Sequence, residues 1–177
     1  MAARAGDASP RLPPVNCRVL LVACAIALAG CESGPAPATP PIVPGSSGSP
    51  REVNIIAKDW TFLPDRVDLV PGETVLIHVI NGGLDIHEAL IGDSGVQDAW
   101  EAAEAATVGS PPGPTPMVSV APAVSGLRIV VASGQRVDVT WTVPRSAGPG
   151  LVVGCHIPGH WPKGMVVPIN LVAATGD

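Results

Sequence analysis

Short apolar stretches separated by turn residues dominate the chain from Arg51 onward. Residues 66–70 and 135–143 alternate polar and apolar side chains, the period of a strand with one buried face. The pattern predicts seven or eight short strands and an all-β Greek-key sandwich over residues 51–174, with Trp60 and Phe62 in its core. The expected strands are Glu52–Lys58, Arg66–Val70, Glu73–Ile80, Ile86–Ile91, Leu127–Val131, Gln135–Val143, Leu151–Cys155 and Met165–Val172.

Residues 95–126 interrupt this pattern. Val96–Ala106 is rich in helix-forming residues and predicts a short helix. Gly109–Pro116 is a proline-rich loop. We therefore expect a helical insertion at one end of the sandwich.

The N-terminal 30 residues have the order of a secretory signal, with three arginines before the apolar run Val19–Ala29. That run is too short to span a bilayer comfortably. It ends in Leu28-Ala29-Gly30-Cys31, which resembles the bacterial lipobox, and this likeness implies that Cys31 is lipidated. An ordinary signal peptide or an uncleaved anchor is the alternative. Residues 31–50 are then the lipidated cysteine and a Pro/Gly/Ser-rich tether that holds the domain at the extracytoplasmic surface, in the periplasm where there is one.

Net charge and cysteine content argue against two interpretations of the chain, a nucleic-acid-binding protein and a disulfide-stabilised domain. The formal charge is −5 with no basic stripe, which argues against a nucleic-acid partner. Of the four cysteines, only Cys155 falls within the predicted domain, so a disulfide framework there is excluded. A single cysteine in a secreted domain needs another explanation, and metal ligation supplies one.

The segment from Cys155 to Met165 carries the candidate chemistry. Cys155, His160 and Met165 follow one another at Cys-x4-His-x4-Met spacing in a loop between two predicted strands, and His87 begins a neighbouring strand after a turn. Two imidazoles, one thiolate and a thioether are the donor set of a blue-copper electron-transfer centre. The pattern predicts one copper ion that cycles between Cu(I) and Cu(II).

The same segment resembles the C-terminal ligand loop of the cupredoxins, the family of plastocyanin and azurin, and its two spacings look most like rusticyanin. The stretch from Asp59 to Asn81 is similar to the family's N-terminal half, and Asp85–Glu88 looks like the segment of its first histidine ligand. The resemblance implies that His87 and His160 are the equatorial nitrogen ligands, Cys155 the thiolate and Met165 the axial ligand. The insertion is the departure from the family's pattern.

Other residues near these ligands have competing interpretations. His156 follows the cysteine as in multicopper oxidases, but His-x-His pairs are absent and Gly154 replaces the preceding histidine, so we expect a non-ligand. We expect structural roles for His78 and Met117. Trp161 either packs over the ligand loop or presents an apolar docking surface.

These observations predict a monomeric electron carrier whose partners are redox proteins of the membrane or periplasm, with the lipid anchor keeping it near them. An envelope copper carrier, store or resistance protein is the alternative. We do not expect an enzyme, because four protein ligands leave copper no open position for a substrate.

Overall fold

The computed structural model describes residues 41–108 and 118–174. The expected signal segment, Cys31, the tether up to residue 40, the predicted loop Gly109–Pro116 and Met117 lie outside these residues. Within them the chain forms nine strands and one α-helix, α1 (Ser94–Ala105). The strands are β1 (Arg51–Lys58), β2 (Thr61–Leu63), β3 (Val67–Leu69), β4 (Thr74–Asn81), β5 (His87–Gly92), β6 (Leu127–Val131), β7 (Arg136–Thr142), β8 (Val152–Gly154) and β9 (Val166–Leu171).

The strands form two mixed sheets, in the orders β2-β1-β4-β7 and β3-β9-β8-β5-β6. Two pairs are parallel, β1 with β4 and β3 with β9, and the other pairs are antiparallel. Non-neighbouring strands of the sequence thus lie side by side, as the predicted sandwich topology requires. The expected strands are confirmed to within one or two residues at their ends, and β2 is an addition.

The core lies between the sheets and follows from the period-two pattern. Inward-facing residues of β1 and β4, such as Ile55 and Ile77, pack with Ile129 of β6 and Ile169 of β9. Alternate residues of each strand share a face, so one sheet face collects the apolar positions. Cys155 and Met165, the two sulfur-bearing candidates, belong to this cluster and are fully buried.

Strand β5 is buried on both faces, and the helical insertion covers one of them. Ala89 and Ile91 face the main core, whereas Leu90 joins a separate apolar cluster with Val96 and Trp100 of α1. The predicted helix is confirmed, and it covers the outer face of β5. Asp93 begins it as an N-cap, with its side chain accepting from the Val96 N–H.

Trp60 corrects one expectation about the core. Phe62 is buried as predicted, but Trp60 is 42% exposed and has a φ of +66° in the turn between β1 and β2. This left-handed conformation turns the ring outward, where Lys163 Nζ lies 3.5 Å from the ring centroid. The contact joins the β1–β2 turn to the predicted ligand loop.

The C-terminal end of the expected tether contacts the domain. The Gly45 N–H donates to Glu73 Oε2, and the Gly45 carbonyl accepts from the Thr74 N–H at the start of β4. The folded domain therefore includes residues that precede β1.

Candidate metal centre

Three strand ends bring the candidate ligands together. His87 begins β5, Cys155 directly follows β8, and Met165 directly precedes β9. In the register of the sheet Leu90 pairs with Gly154, and Gly154 pairs with Val166. The ligand-bearing ends of the three neighbouring strands therefore meet at one end of the sandwich.

The turn before His87 is organised by Asn81, the last residue of β4. Its side-chain amide donates to the carbonyls of Asp85 and Val131, and its Oδ1 accepts from the Gly83 N–H at 2.9 Å. These bonds close the turn locally and tie it to β6. The Asn81 side chain thus holds the backbone at the start of β5, and with it His87, in place.

The loop from Cys155 to Met165 is closed by its own backbone. The Cys155 N–H donates to the Met165 carbonyl at 3.1 Å, and the Met165 N–H donates to the His160 carbonyl at 3.3 Å. Gly159 and Gly164 have φ values of +90° and +84°, conformations that glycine adopts without strain. Both glycines therefore form tight turns beside the candidate ligands.

His87, Cys155 and His160 form a buried donor cluster. Their ligand atoms all lie within 4.8 Å of one another. His160 Nδ1 is 3.3 Å from His87 Nδ1 and 3.3 Å from Cys155 Sγ, so the Nδ1 atoms of the two rings face each other beside the sulfur. His160 retains 6% exposure, whereas His87 and Cys155 are fully buried. One soft and two intermediate donors at this separation fit a copper ion.

Burial controls the ionisation of the cluster. Desolvation is the main cause that raises the pKa of the Cys155 thiol to about 11. Desolvation, reinforced by the neighbouring His87, lowers the pKa of His160. The His160 lone pair is therefore available near neutral pH, whereas the Cys155 thiol must release its proton when a metal binds.

Met165 shares this environment. Its side chain is fully buried, and its backbone bonds to both Cys155 and His160. These contacts fix Met165 at the base of the ligand loop. Its part as a fourth ligand remains a prediction from the sequence.

His156 has a different set of partners from the donor cluster. Its Nε2 lies 2.7 Å from Gln97 Oε1 and its Nδ1 lies 2.8 Å from Glu101 Oε2, both on α1. Trp161 stacks on the ring at a centroid distance of 4.4 Å. Since both ring nitrogens are engaged, neither is free for a metal, which agrees with the expected non-ligand. This stacking is the packing role considered for Trp161, whose ring is half-buried.

A partly buried chain of ionic contacts extends this support to β6. Glu88 Oε1 accepts the backbone N–H of His156 at 2.9 Å, and Glu88 Oε2 pairs with Arg128 at 2.6 Å. Arg128 also pairs with Glu104 of α1 at 2.7 Å and lies over the ring of Trp100. Contacts with the insertion therefore support the ligand loop at the end that carries Cys155. Sequence reasoning left its role open.

Asp59 was not predicted to contribute to the site. Its Oδ1 lies 3.2 Å from His87 Nε2, the ring nitrogen opposite the donor cluster. Burial raises its pKa, but hydrogen bonds from the backbone of Asp85 and Leu84 and from His87 outweigh this, so the pKa is lowered overall. No spacing rule could have found Asp59, because it precedes His87 by 28 residues in a turn.

His78, in contrast, lies away from the donor cluster. It is buried within β4, where its Nδ1 is 2.8 Å from Asp138 of the neighbouring strand β7. This contact agrees with the structural role expected for His78.

The sandwich and its His-Cys-His cluster define the class: the chain has the cupredoxin fold, and the cluster fits the mononuclear copper site of blue copper proteins. Two solved structures show the likeness. Dithionite-reduced auracyanin from Roseiflexus castenholzii superposes with a TM-score of 0.55 and 18% identity, covering 72% of this chain and 99% of that one. Auracyanin A, a blue copper protein from Chloroflexus aurantiacus, superposes with a TM-score of 0.53 and 20% identity. The match covers 70% of this chain and 100% of auracyanin A.

The sequence comparison points to a particular relative. The copper-resistant cuproprotein CopI of Pseudomonas aeruginosa is 27% identical over 135 residues, which cover 66% of this chain and 73% of CopI. No family model matches the chain. The structural likenesses thus confirm the predicted fold, and the relative links the sequence to a protein named for copper.

Proposed function

We propose that the chain binds one copper ion through His87, Cys155 and His160, with Met165 as the fourth ligand. The observation that carries this proposal is the buried cluster of three donor atoms within 4.8 Å of one another. Copper in such a site supplies a one-electron Cu(I)/Cu(II) couple. The function supported best is therefore electron transfer between redox partners.

The protein's own residues favour this role. The two glycine turns, the backbone bonds of the loop and the contacts of α1 hold the donors in a preformed arrangement. A rigid site needs little rearrangement when the charge of its ion changes. His160 is the member of the donor cluster that keeps some solvent exposure, and it is the proposed route for electrons to a partner at this end of the sandwich.

The remaining features of the proposal concern the chain's setting. We propose a secreted monomer, anchored by a lipid on Cys31 and serving redox proteins at the membrane or in the periplasm. We also propose that it is not an enzyme, since four protein donors leave no position for a substrate. Among the described residues, no helix combines the length and apolar character needed to cross a bilayer.

Copper resistance is the second candidate, and the likeness to CopI favours it. A protein of this kind would carry or store copper in the envelope rather than pass electrons. The two candidates differ in whether copper must leave the protein. An electron carrier keeps its ion through many redox cycles, whereas a copper carrier must release it.

Retention of copper during redox cycling separates the two candidates. The copper-loaded protein would be reduced by ascorbate and reoxidised by ferricyanide for ten cycles, with a strong Cu(I) chelator in excess. An electron carrier keeps its copper and returns the same visible spectrum after each cycle. Loss of copper to the chelator in the first reduced state would contradict electron transfer and favour copper carriage. Unfolded protein, prepared in denaturant, is the control that releases its copper.

A further inference from the structure

Asp59 and His87 form a contact on the side of the imidazole that faces away from the donor cluster. His87 Nδ1 points toward His160 Nδ1 at 3.3 Å, while His87 Nε2 lies 3.2 Å from Asp59 Oδ1. An imidazole that gives its Nδ1 lone pair to a metal carries its hydrogen on Nε2. In that state the Nε2–H donates to the carboxylate.

The carboxylate of Asp59 is itself fixed. The Leu84 N–H donates to Oδ1 at 2.9 Å and to Oδ2 at 3.2 Å, and the Asp85 N–H lies 3.4 Å from Oδ1. Asp59 therefore holds both the backbone that leads into β5 and the ring at its first residue. The position of the Asp59 carboxylate is therefore set by backbone N–H donors.

Gly83 leaves the space that this contact occupies. A Cβ at position 83 would lie 2.3 Å from Asp59 Oδ1 and 2.8 Å from His87 Nε2. Either distance is far below van der Waals contact, so any side chain there would displace the carboxylate or the ring. The backbone of the turn thus accommodates the Asp59–His87 pair directly.

The charge of Asp59 lies against the His87 ring. Within residues 41–108 and 118–174, the side-chain partner of the Asp59 carboxylate is His87, and no lysine or arginine pairs with it. A carboxylate behind a metal-binding histidine fixes its tautomer and makes it a stronger donor. A histidine whose donor strength is raised by a neighbouring carboxylate stabilises Cu(II) more than Cu(I), because Cu(II) carries the higher charge.

From this geometry we propose that Asp59 is a positioning residue for the metal centre: it presents His87 Nδ1 to the ion and lowers the reduction potential. The inference rests on the proposed copper function. Its alternative is that Asp59 only caps the backbone of Leu84 and Asp85. The two roles predict different results, because backbone capping does not require a full negative charge.

Asp59→Asn separates charge from hydrogen bonding, since Asn keeps an oxygen acceptor for the backbone. Asp65→Asn is the matched control, because it removes one charge from an exposed position in a nearby connection. Loss of a carboxylate behind a metal-binding histidine lowers metal affinity at least about tenfold. If the affinity for Cu(II) falls tenfold and the affinity for Cu(I) is unchanged, the reduction potential of the Asp59→Asn variant rises by about 59 mV. A rise equal to that of Asp65→Asn would overturn the proposal.

A second readout needs no copper. In the metal-free protein, nitrogen NMR of the His87 ring should show the Nε2–H tautomer, and Asp59→Ala should shift the ring toward a mixture of tautomers. An unchanged tautomer in Asp59→Ala would overturn the positioning role. If the wild-type protein failed to form a blue centre, the proposed function would fall while this NMR result still decided whether Asp59 orients His87.

Discussion

His156 Nε2 lies 2.7 Å from Gln97 Oε1, so the residue that follows the candidate ligand Cys155 is bonded to the helix of the insertion. The amide nitrogen of Gln97 donates to the carbonyls of Leu90 and Gly92 at 3.2 and 3.3 Å. Its oxygen is therefore the end that faces His156. One buried side chain thus links β5 to the ligand loop.

Gly154 shows how closely this link is packed. A Cβ there would lie 2.4 Å from Gln97 Oε1 and 2.7 Å from the ring of Trp161. Gly154 pairs with Leu90 across the sheet, so the backbone itself passes beneath the glutamine. The position of Cys155 therefore depends on an element outside the sandwich.

Gln97→Ala tests this support. Removing the side chain leaves His156 Nε2 and two carbonyls without their partner, and each buried unsatisfied group costs about 1–3 kcal/mol. We expect urea denaturation of the metal-free protein to show a loss of at least about 1 kcal/mol relative to wild type. The visible spectrum of the copper-loaded variant should shift as well. Asp98→Ala, an exposed position on the same helix, is the control and should change neither quantity.

Several parts of the fold and site could be predicted because their signals are local. Alternation of apolar residues located the strands, and the spacing between Cys155, His160 and Met165 located the ligand loop. The contacts that support the ligands are not local. Gln97 precedes His156 by 59 residues, and no period or motif relates two positions across that distance.

Trp60 shows a second limit. Its apolar ring predicted a core position, but the positive φ of this residue turns the ring toward solvent and Lys163. An apolar tryptophan ring is buried only when the backbone conformation of that residue directs the side chain toward the core. The turn between β1 and β2 decides its direction, and residue type alone does not reveal that turn.

Met165→Leu tests the fourth ligand. Leucine fills a similar volume in the core but lacks the sulfur, so the fold should survive and copper should remain bound at one ion per chain. We expect a higher reduction potential by protein-film voltammetry, because the axial donor tunes the potential of such sites. A potential equal to that of wild type would show that Met165 is a core residue without a role at the metal.

Glu73 predicts an acid-dependent component of stability. Burial raises its pKa, but hydrogen bonds from Arg51, Val70 and Gly45 outweigh this and lower the pKa below its ordinary value of 4.5. A carboxyl whose pKa is lower in the folded state stabilises the fold above the unfolded value. This contribution is lost as the pH falls from 4.5 through the lower folded value.

Glu73→Gln should remove this dependence. The free energy of unfolding of the variant, measured by denaturant titration, should fall less than that of wild type as the pH is lowered from 6 to 3, a window of about 1–2 pH units either side of the ordinary carboxyl pKa. Asp65→Asn, at an exposed acid, should retain the wild-type slope. Equal slopes for Glu73→Gln and wild type would show that Glu73 does not carry the effect.

Cys31→Ser tests the proposed lipid anchor, which lies outside the described residues. The variant should move from the membrane fraction to the soluble fraction of the envelope, because serine cannot accept the lipid. Cys24→Ser is the matched control, since Cys24 lies within the expected signal segment, and it should leave the distribution unchanged. A Cys31→Ser protein that stays with the membrane would show that another segment provides the attachment.

The visible and electron paramagnetic resonance spectra of the protein loaded with one equivalent of copper(II) test the central claim most directly. The proposed ligands predict an intense thiolate-to-copper band near the red end of the spectrum and a small parallel hyperfine splitting. Both features should vanish in Cys155→Ser, which keeps the shape of the side chain but lacks the thiolate. A weak band with ordinary splitting in the wild-type protein, or a variant that stays blue, would contradict a copper centre built on Cys155.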